Sequence, residues 1–257
     1  MRRTTTLTRV TETLPLTGER TAPGIWHENY WFARHEAAYR WITANSAIES
    51  TGRVLDAGCG EGYGAELLRL AGADPVTGLD YEDTTLRHVR RVYPQLKVVR
   101  GNLVQTGFAD RSFDLVTSLQ TIEHLWEQPW FVAECARILA PTGTVVLSTP
   151  NRLTFPSGNW YHTRELTAAE FTELLAPHFS ITHALGLHHG NRLQAWETQY
   201  GSCVHAQLAA EYDDWDDDLT TLVKSTHYED FGIRPGDLDE SLDLILVARL
   251  RDARSVR

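Results

Sequence analysis

One short run of sequence constrains the fold more than any other, because it joins an apolar strand to a glycine-rich turn and a helix. Residues 53–64 read Arg-Val-Leu-Asp-Ala-Gly-Cys-Gly-Glu-Gly-Tyr-Gly. Alternate glycines let the backbone turn sharply off a strand and let a ligand approach the main chain closely. A helix beginning near Tyr63 directs its unpaired N–H groups and the positive end of its dipole at that ligand. The run therefore predicts a ligand-binding loop between a strand and a helix.

The class of ligand depends on Asp56, which closes the strand before the glycines. By spacing, Gly60, Gly62 and Ala65 also fit the G-x-G-x-x-G/A fingerprint of dinucleotide sites. A carboxylate at the mouth of a pyrophosphate loop would repel the phosphates, whereas it suits a ligand that carries an ammonium group. S-adenosylmethionine (SAM) has an ammonium group, a sulfonium and no phosphate. Asp56 therefore favours SAM over a nicotinamide or flavin nucleotide.

The composition of the chain indicates in which compartment it resides and which partners are unsuitable. The chain has 257 residues, of which 42% are hydrophobic, and a net charge of −10 without any basic run, so a nucleic acid is a poor partner. The 3 cysteines are widely spaced and lack C-x-x-C pairing, which is typical of a reducing compartment and argues against a zinc cluster. No apolar stretch is long enough to span a membrane, and the first twenty residues lack the apolar region of a signal peptide. We expect a cytoplasmic protein that has no membrane partner.

Strand and helix patterns alternate along most of the chain, which indicates a doubly wound α/β fold. We expect residues 1–20 to form a flexible arm and residues 21–257 to form a single domain. Its core is predicted to be a Rossmann-like, seven-stranded, mostly parallel sheet, preceded by an N-terminal lid helix that starts near Glu28. The predicted strands are Val54–Asp56, Pro75–Leu79, Leu96–Arg100, Phe113–Leu119, Gly143–Thr149, Ser180–Leu187 and Leu242–Leu250, and the later helices are Tyr63–Leu70, Glu82–Tyr93, Pro129–Leu139 and Thr167–Ala176.

Residues 188–239 interrupt this alternation and predict a C-terminal insertion before the last strand. They include an acidic segment, residues 211–218, in which Tyr212 and Trp215 are interleaved. The simplest interpretation of this segment is a solvated helix and loop. The alternatives are a cap over the acceptor pocket and a contact between the subunits of a homodimer.

The residues that follow each strand can be assigned in order, because ligands of open parallel sheets bind at the carboxyl ends of the strands. Asp80 closes the second strand, where a carboxylate can accept hydrogen bonds from both ribose hydroxyls; a helix N-cap is the alternative. Asn102 can bind the adenine amino group while Leu103 packs on the ring, although Asn102 also suits a plain turn. Leu119 and Gln120 follow the fourth strand, beside the predicted methionine part of the cofactor.

These motifs resemble, in order and spacing, those of class I SAM-dependent methyltransferases. The resemblance covers about residues 54–149 and rests on Val-Leu-Asp-Ala-Gly-Cys-Gly, Gly-Leu-Asp, Gly-Asn-Leu and Ser-Phe-Asp-Leu-Val. It implies SAM as the cofactor. The predicted cofactor-binding residues are Tyr30, Arg34, Asp56, Gly58, Cys59, Gly60, Tyr63, Asp80, Tyr81, Asn102, Leu103, Leu119 and Gln120.

Further stretches carry a second resemblance: Leu16–Arg20, Glu28–Phe32, Ile122–Trp126, Ser148–Arg152, His162–Leu166, His189–Arg192 and Glu240–Leu244. Through them the chain is similar, over nearly its whole length, to a group of actinobacterial sugar O-methyltransferases. That group includes the mycofactocin oligosaccharide methyltransferase and a methyltransferase tied to mycobacterial methylglucose lipopolysaccharide. The resemblance implies a hydroxyl of a glucose-type oligosaccharide or glycoside as the acceptor. Residues 155–160 are shorter than in that pattern, so the acceptor stays open, and the alternatives are a small-molecule O- or N-methyltransferase and a SAM-binding protein without turnover.

Three residues are candidates for the chemistry itself. Glu123 and His124 lie just past the fourth strand, and His162 follows the fifth. Methylation of a sugar hydroxyl requires alignment and removal of a proton, for which histidine is well suited near neutral pH. The same residues resemble the magnesium ligands of ubiquinone-biosynthesis O-methyltransferases and small-RNA 2′-O-methyltransferases, which have Glu-x-x-Glu-His and a downstream histidine. Here Gln120 replaces the first glutamate, so a Mg²⁺ site and His124 acting alone as a base both stay open.

Aromatic side chains suit both ligands, although ordinary packing is the alternative for each of them. Tyr30 and Trp31 are predicted to exclude water from the cofactor, with Arg34 near its carboxylate. Indole rings can stack on the faces of pyranose rings. The candidates for such stacking are Trp126, Trp130, Trp160 and Trp196.

Overall fold

The computed structural model describes residues 14, 20–45, 52–156 and 159–251. The predicted arm, residues 1–20, lies outside this part of the chain except for Leu14 and Arg20. The strands are β1 (Val54–Ala57), β2 (Val76–Asp80), β3 (Lys97–Arg100), β4 (Phe113–Ser118), β5 (Leu139–Pro150), β6 (Phe179–His189), β7 (Phe231–Arg234) and β8 (Asp243–Leu250). The helices are α1 (Asn29–Asn45), α2 (Tyr63–Leu70), α3 (Asp83–Val92), α4 (Gln128–Ile138), α5 (Ala168–Leu175), α6 (Asn191–Tyr200), α7 (Cys203–Leu208) and α8 (Asp217–Ser225).

The strands form one eight-stranded sheet in the order β3-β2-β1-β4-β5-β8-β6-β7. The strands from β3 to β5 are parallel, whereas β8 runs antiparallel to β5 and β6, and β7 runs antiparallel to β6. The predicted Rossmann-like, mostly parallel fold is confirmed. The strand order reverses between β1 and β4, and at such a point the connections leave a crevice above the carboxyl ends of the strands.

Both faces of the sheet are covered, and therefore central strands such as β1 are buried along their whole length. One apolar core packs α1, α2 and α8 on one face, and a second core packs α4 and α5 on the other. Helix α5 begins with the predicted capping box, in which Thr167 accepts from the Glu170 backbone and Glu170 accepts in return. The helices thus hold the β1–β4 crevice between two closely packed layers.

The predicted insertion, residues 188–239, contains more regular structure than the sequence suggested. It holds α6, α7, α8 and the edge strand β7, which raises the strand count from the predicted seven to eight. In the acidic segment, Asp216 caps α8 by accepting a hydrogen bond of 2.7 Å from the Leu219 backbone. Acidic residues suit this position because the N-terminal end of a helix is partly positive. None of the helices in the described ranges is both long and apolar enough to cross a membrane.

Candidate functional site

The glycine loop between β1 and α2 adopts a conformation that side chains would disfavour. Gly58, Gly60 and Gly62 have φ angles of 79°, 47° and 82°, in the left-handed region. The N–H groups of Gly58 and Cys59 donate to the Leu79 carbonyl over 2.8 and 3.0 Å, which fastens the loop to the end of β2. A Cβ on Gly58 would lie 2.6 Å from the Thr121 side chain. The loop is therefore held close to the residues that follow β4.

Asp80 connects this loop to the start of α3. One of its oxygens accepts a hydrogen bond of 3.0 Å from the Gly60 N–H, and the other accepts one of 3.1 Å from the Glu82 N–H. Burial raises the pKa of this carboxyl, which is 9% exposed. Each oxygen has one further lone pair, so these contacts are compatible with the predicted acceptance of ribose hydroxyls.

Asp56 has a structural environment that the sequence did not indicate. It is fully buried, and it accepts hydrogen bonds from the Tyr39 hydroxyl at 3.0 Å and from the Thr117 hydroxyl at 2.9 Å. Burial raises its pKa to about 6. The ring of Tyr39 reaches it by passing over Gly64, where a Cβ would lie only 2.0 Å from the ring. Direct contact with a ligand ammonium group would require Tyr39 to move, so Asp56 in this structure holds α1 against the sheet.

Tyr30 and Arg34 also bind protein groups. The Tyr30 hydroxyl is fully buried, lies 2.7 Å from His189 Nε2 and lines neither of the two cavities described below. Arg34 donates to Asp243 and to the Leu242 carbonyl, both over 2.7 Å, while the same side chain lines the larger cavity. The predicted pairing of Arg34 with the cofactor carboxylate must therefore compete with a buried ion pair.

The residues predicted to bind the adenine ring differ in their contacts and exposure. Asn102 accepts a hydrogen bond of 3.0 Å from the Val104 N–H, which is the turn contact that the alternative interpretation anticipated. Leu103 is 9% exposed, whereas Tyr81 is 64% exposed beside Asp80. These residues lie along the ends of β2 and β3, on the side of the glycine loop away from the larger cavity.

A cavity of about 800 Å³ lies beyond the ends of β4 and β5. A smaller cavity of about 50 Å³ lies against the glycine loop and is lined by Gly58, Cys59, Gly60, Tyr63 and Leu119. Four residues line both spaces, which makes the two neighbouring compartments of one site: Arg20, Thr21, His35 and Gln120. The larger space suits an acceptor, and the smaller one suits the end of a cofactor that lies on the loop.

Arg20 and Thr21 were missed as site residues, although Arg20 belongs to a stretch that carries the family resemblance. The Arg20 side chain crosses above Gly60 and binds Glu82 and Thr85, so it occupies part of the groove beside Asp80. The Arg20 Nε and the Thr21 hydroxyl are buried and have no hydrogen-bond partner in the described part of the chain. Their place in the groove depends on how the chain folds back ahead of α1, for which the local sequence gives no periodic signal.

The structure brings three of the candidate residues, Glu123, His124 and His162, together at the larger cavity. Each offers one ligand atom, and these atoms lie within 4.8 Å of one another. Glu123 is 1% exposed, its Oε2 has no hydrogen-bond partner among the described residues, and burial raises its pKa to about 8. The loops that carry these residues are joined by Thr163, whose N–H donates to the Glu123 carbonyl over 2.7 Å.

Hydrogen bonds orient both imidazole rings. His124 Nδ1 lies 2.9 Å from the Tyr161 carbonyl, and because a carbonyl can only accept, the proton resides on Nδ1 and the lone pair of the neutral ring on Nε2. His162 Nδ1 lies 2.7 Å from Glu165, and its Nε2 lies 3.0 Å from the Asn159 amide. Burial lowers the pKa of His162 to about 4. The ring centroids of the two histidines are 5.0 Å apart.

Of the four tryptophans that the sequence offered as candidates for sugar stacking, only Trp160 lines the larger cavity. This residue is 98% exposed. Trp126 and Trp130, on the loop after His124 and at the start of α4, are 82% and 69% exposed. Trp196 instead packs against the apolar core and stacks on Tyr200, and it lines neither cavity. Trp31 and Phe155, which also line the larger cavity, lie 6.4 Å apart between centroids.

Comparisons with known proteins identify relatives over most of the chain. Residues 55–147 match a family model described as a methyltransferase domain. A probable SAM-dependent methyltransferase of Mycolicibacterium smegmatis is 46% identical over 247 residues, which cover 91% of this chain and 95% of that protein. A probable SAM-dependent methyltransferase of Mycobacterium tuberculosis is 42% identical over 91% of this chain and 89% of its own length.

Two further matches are more distant. A ubiquinone biosynthesis O-methyltransferase of Thiobacillus denitrificans is 35% identical over 118 residues, which are 44% of this chain and 50% of that protein. The crystal structure of a SAM-dependent methyltransferase from Thermotoga maritima, described as a possible histamine N-methyltransferase, superposes with a TM-score of 0.60 at 13% identity. That alignment covers 88% of this chain and 92% of the other, and it shows a shared fold.

Proposed function

Since the chain belongs to the SAM-dependent methyltransferases, we propose that it methylates a hydroxyl group of a sugar, within a glucose-type oligosaccharide or glycoside. The observation that carries this proposal is the convergence of Glu123, His124 and His162 on a cavity of about 800 Å³ beside the glycine loop. Such a cavity has the size of known small-molecule sites. The cavity also presents aromatic surfaces and carboxylates, which suit a polar ring with many hydroxyl groups.

The cofactor is SAM, and its position is part of the proposal. We place its methionine end against Gly58 and Gly60, its ribose hydroxyls on Asp80 and its adenine near Asn102 and Leu103. This placement directs the sulfonium methyl group toward Gln120 and the larger cavity, because Gln120 lines both compartments. Binding in this way also requires Arg20 to leave the groove beside Asp80 or to turn onto the cofactor.

Methyl transfer is a single displacement. The acceptor oxygen attacks the methyl carbon, the carbon–sulfur bond breaks, and its electron pair stays on the sulfur of S-adenosylhomocysteine. The acceptor proton moves to Nε2 of His124, which carries the lone pair because Nδ1 donates to the Tyr161 carbonyl. The Glu165 carboxylate accepts a hydrogen bond from Nδ1 of His162. Both imidazole rings are therefore oriented before the acceptor binds.

A divalent metal ion is the second account of these three residues. Glu123, His124 and His162 lie close enough together to hold a divalent cation. His162 would first have to release the Asn159 amide from its Nε2, and only one carboxylate is available to a hard ion such as Mg²⁺. Bound to Glu123, His124 and His162, Mg²⁺ would lower the pKa of the acceptor hydroxyl. Activity lost in EDTA and restored by Mg²⁺ would support this account, whereas activity indifferent to EDTA leaves His124 as a simple base.

An acceptor screen tests the proposed function. The purified protein and SAM are incubated with gluco- and manno-oligosaccharides, a catechol and a primary amine, and methylated products are located by mass spectrometry and NMR. Methylation of a sugar oxygen supports the proposal. Methylation of the catechol alone would contradict it and favour a methyltransferase that acts on phenols.

The proposed location is the cytoplasm. The cysteines of the described residues, Cys59, Cys135 and Cys203, are all free and buried. Free thiols are typical of proteins from a reducing compartment.

A further inference from the structure

The larger cavity has an uneven distribution of charge. Outside the Glu123, His124 and His162 cluster, two glutamates line it: Glu28 at the start of α1, and Glu211, which is exposed, after α7. Within the described residues, the structure gives no hydrogen bond or ion pair to the carboxylates of Glu28 and Glu211. Glu28 is half-buried, and this burial raises its pKa. These two groups are therefore available to a ligand at the wall that α1 and the C-terminal insertion provide.

The cations that line the same cavity are already neutralised. Arg34 forms a buried ion pair with Asp243, and Arg20 pairs with Glu82. His35 also lines the cavity, and burial lowers the pKa of this ring to about 4, so it is neutral near pH 7. Among the described lining residues there is no lysine, and both arginines form ion pairs, whereas Glu28 and Glu211 form none.

We propose that this cavity selects uncharged or cationic acceptors and excludes sugars that carry a phosphate or carboxylate group, with Glu28 and Glu211 as the residues that determine this specificity. The inference rests on the proposed sugar acceptor and narrows it to neutral glycosides and amino sugars. The two carboxylates accept hydrogen bonds from acceptor hydroxyls on the side of the cavity formed by α1 and the insertion. A hydrogen bond to a carboxylate is stronger than one between two neutral groups, so a carboxylate positions a sugar hydroxyl well.

Electrostatic repulsion explains why anionic sugars are excluded. A phosphate placed in this cavity meets the carboxylates of Glu28 and Glu211, while Arg34 stays paired with Asp243. Juxtaposed like charges weaken binding. An ammonium group, as in an amino sugar, would instead be attracted by the same carboxylates. The acidic segment after α7, which had no assigned role in the sequence, thus contributes Glu211 to acceptor selection rather than serving only as a solvated surface.

The test compares acceptors of different charge on the enzyme loaded with S-adenosylhomocysteine, by tryptophan fluorescence, and in turnover with SAM. The probes are methyl glucoside, glucosamine, glucose 6-phosphate, glucuronic acid and a neutral catechol. We expect methyl glucoside and glucosamine to bind at least about ten-fold more tightly than the two anions. Tighter binding of glucose 6-phosphate than of methyl glucoside would overturn the charge rule while leaving sugar methylation standing. Turnover of the catechol alone, with anions still excluded, would refute the sugar acceptor and leave the charge rule intact.

Substitutions then test whether Glu28 and Glu211 determine this selectivity. Glu28→Gln and Glu211→Gln, singly and together, keep the shape of the side chains and remove charge. We expect the double variant to have a KM for methyl glucoside that is several-fold higher and an unchanged affinity for SAM. We also expect the difference in affinity between the neutral and the anionic probes to become smaller. The matched control is Glu173→Gln, an exposed glutamate on α5 that does not line the cavity. A double variant with the selectivity of the wild type and of this control would show that Glu28 and Glu211 do not determine specificity.

Discussion

The substitution Gly64→Ala separates the local preference of a helix from the packing of this fold. Gly64 lies in the first turn of α2, where alanine normally stabilises a helix by about 1 kcal/mol relative to glycine. In this structure the new Cβ would lie 2.0, 2.4 and 2.5 Å from three carbons of the Tyr39 ring. The ring cannot remain where it is, so the local preference and the tertiary packing predict changes of opposite sign.

Two unfavourable contributions to the free energy of unfolding set the size of the effect. Overpacking of a buried site costs about 1–3 kcal/mol. Displacement of Tyr39 also removes its hydrogen bonds to Asp56, and a hydrogen bond to a charged group contributes about 1.5–3 kcal/mol. After subtraction of the helix gain, we expect Gly64→Ala to lower the free energy of unfolding by about 2–4 kcal/mol, because the two losses overlap.

Urea unfolding followed by circular dichroism measures this change. The control is Gly232→Ala in β7, where a Cβ meets no atom within 4 Å and the change should stay within about 0.5 kcal/mol. A second variant, Tyr39→Leu, removes most of the ring, so adding Gly64→Ala to it should cost much less than in the wild type. If Gly64→Ala is as stable as the wild type or more so, the proposed path from Tyr39 over Gly64 to Asp56 is wrong.

Three other predictions concern the site. His124→Ala should lower kcat by about 10²–10⁴-fold while the Kd for SAM barely changes, and near-normal turnover in a single-turnover assay would remove His124 from the chemistry. Asp80→Ala should weaken SAM binding by about 1–3 kcal/mol in calorimetric titration, and an unchanged Kd would exclude the ribose contact. Because burial raises the pKa of Asp56 to about 6, the folded wild type holds this proton more tightly than the unfolded chain, so its stability falls as pH rises from about 4 to 6. Asp56→Asn should remove that fall from the pH profile of unfolding, and an identical profile in the variant would contradict the raised pKa.

Local patterns in the sequence specified most of the regular structure. Helix α2 has the predicted limits, and α5 begins at the predicted capping box. Both signals reside in a few consecutive residues. Strand β7 was missed because it has only 4 residues, includes Gly232 and pairs on one side only, with β6. A short edge strand needs little apolar alternation, so its sequence resembles a loop.

The candidate site was predicted only in part, because its details depend on contacts between distant segments. The position of Glu123 and His124 follows from the rule that ligands lie at strand ends, and the structure brings His162 to them. The sequence around Arg34, by contrast, gives no sign that its partner Asp243 lies 209 residues away. The same holds for Asp56, whose partner Tyr39 comes from a helix that precedes the sheet.

Acidic residues at strand ends therefore divide into two groups that the sequence alone does not separate. Asp56 and Asp243 are buried with hydrogen-bond donors from remote segments, and they stabilise the packing of α1 against the sheet. Glu123 is buried to the same degree and lines the cavity, but its Oε2 has no donor in hydrogen-bond geometry in the described part of the chain, although the Thr149 hydroxyl lies close enough to lower its pKa. A buried, unpaired carboxylate is costly to stability, and folded proteins retain such groups mainly where a ligand completes their bonding. In the proposed function the less satisfied acid, Glu123, is the one at the reaction site, and this distinction becomes visible only when the partners of each carboxylate are known.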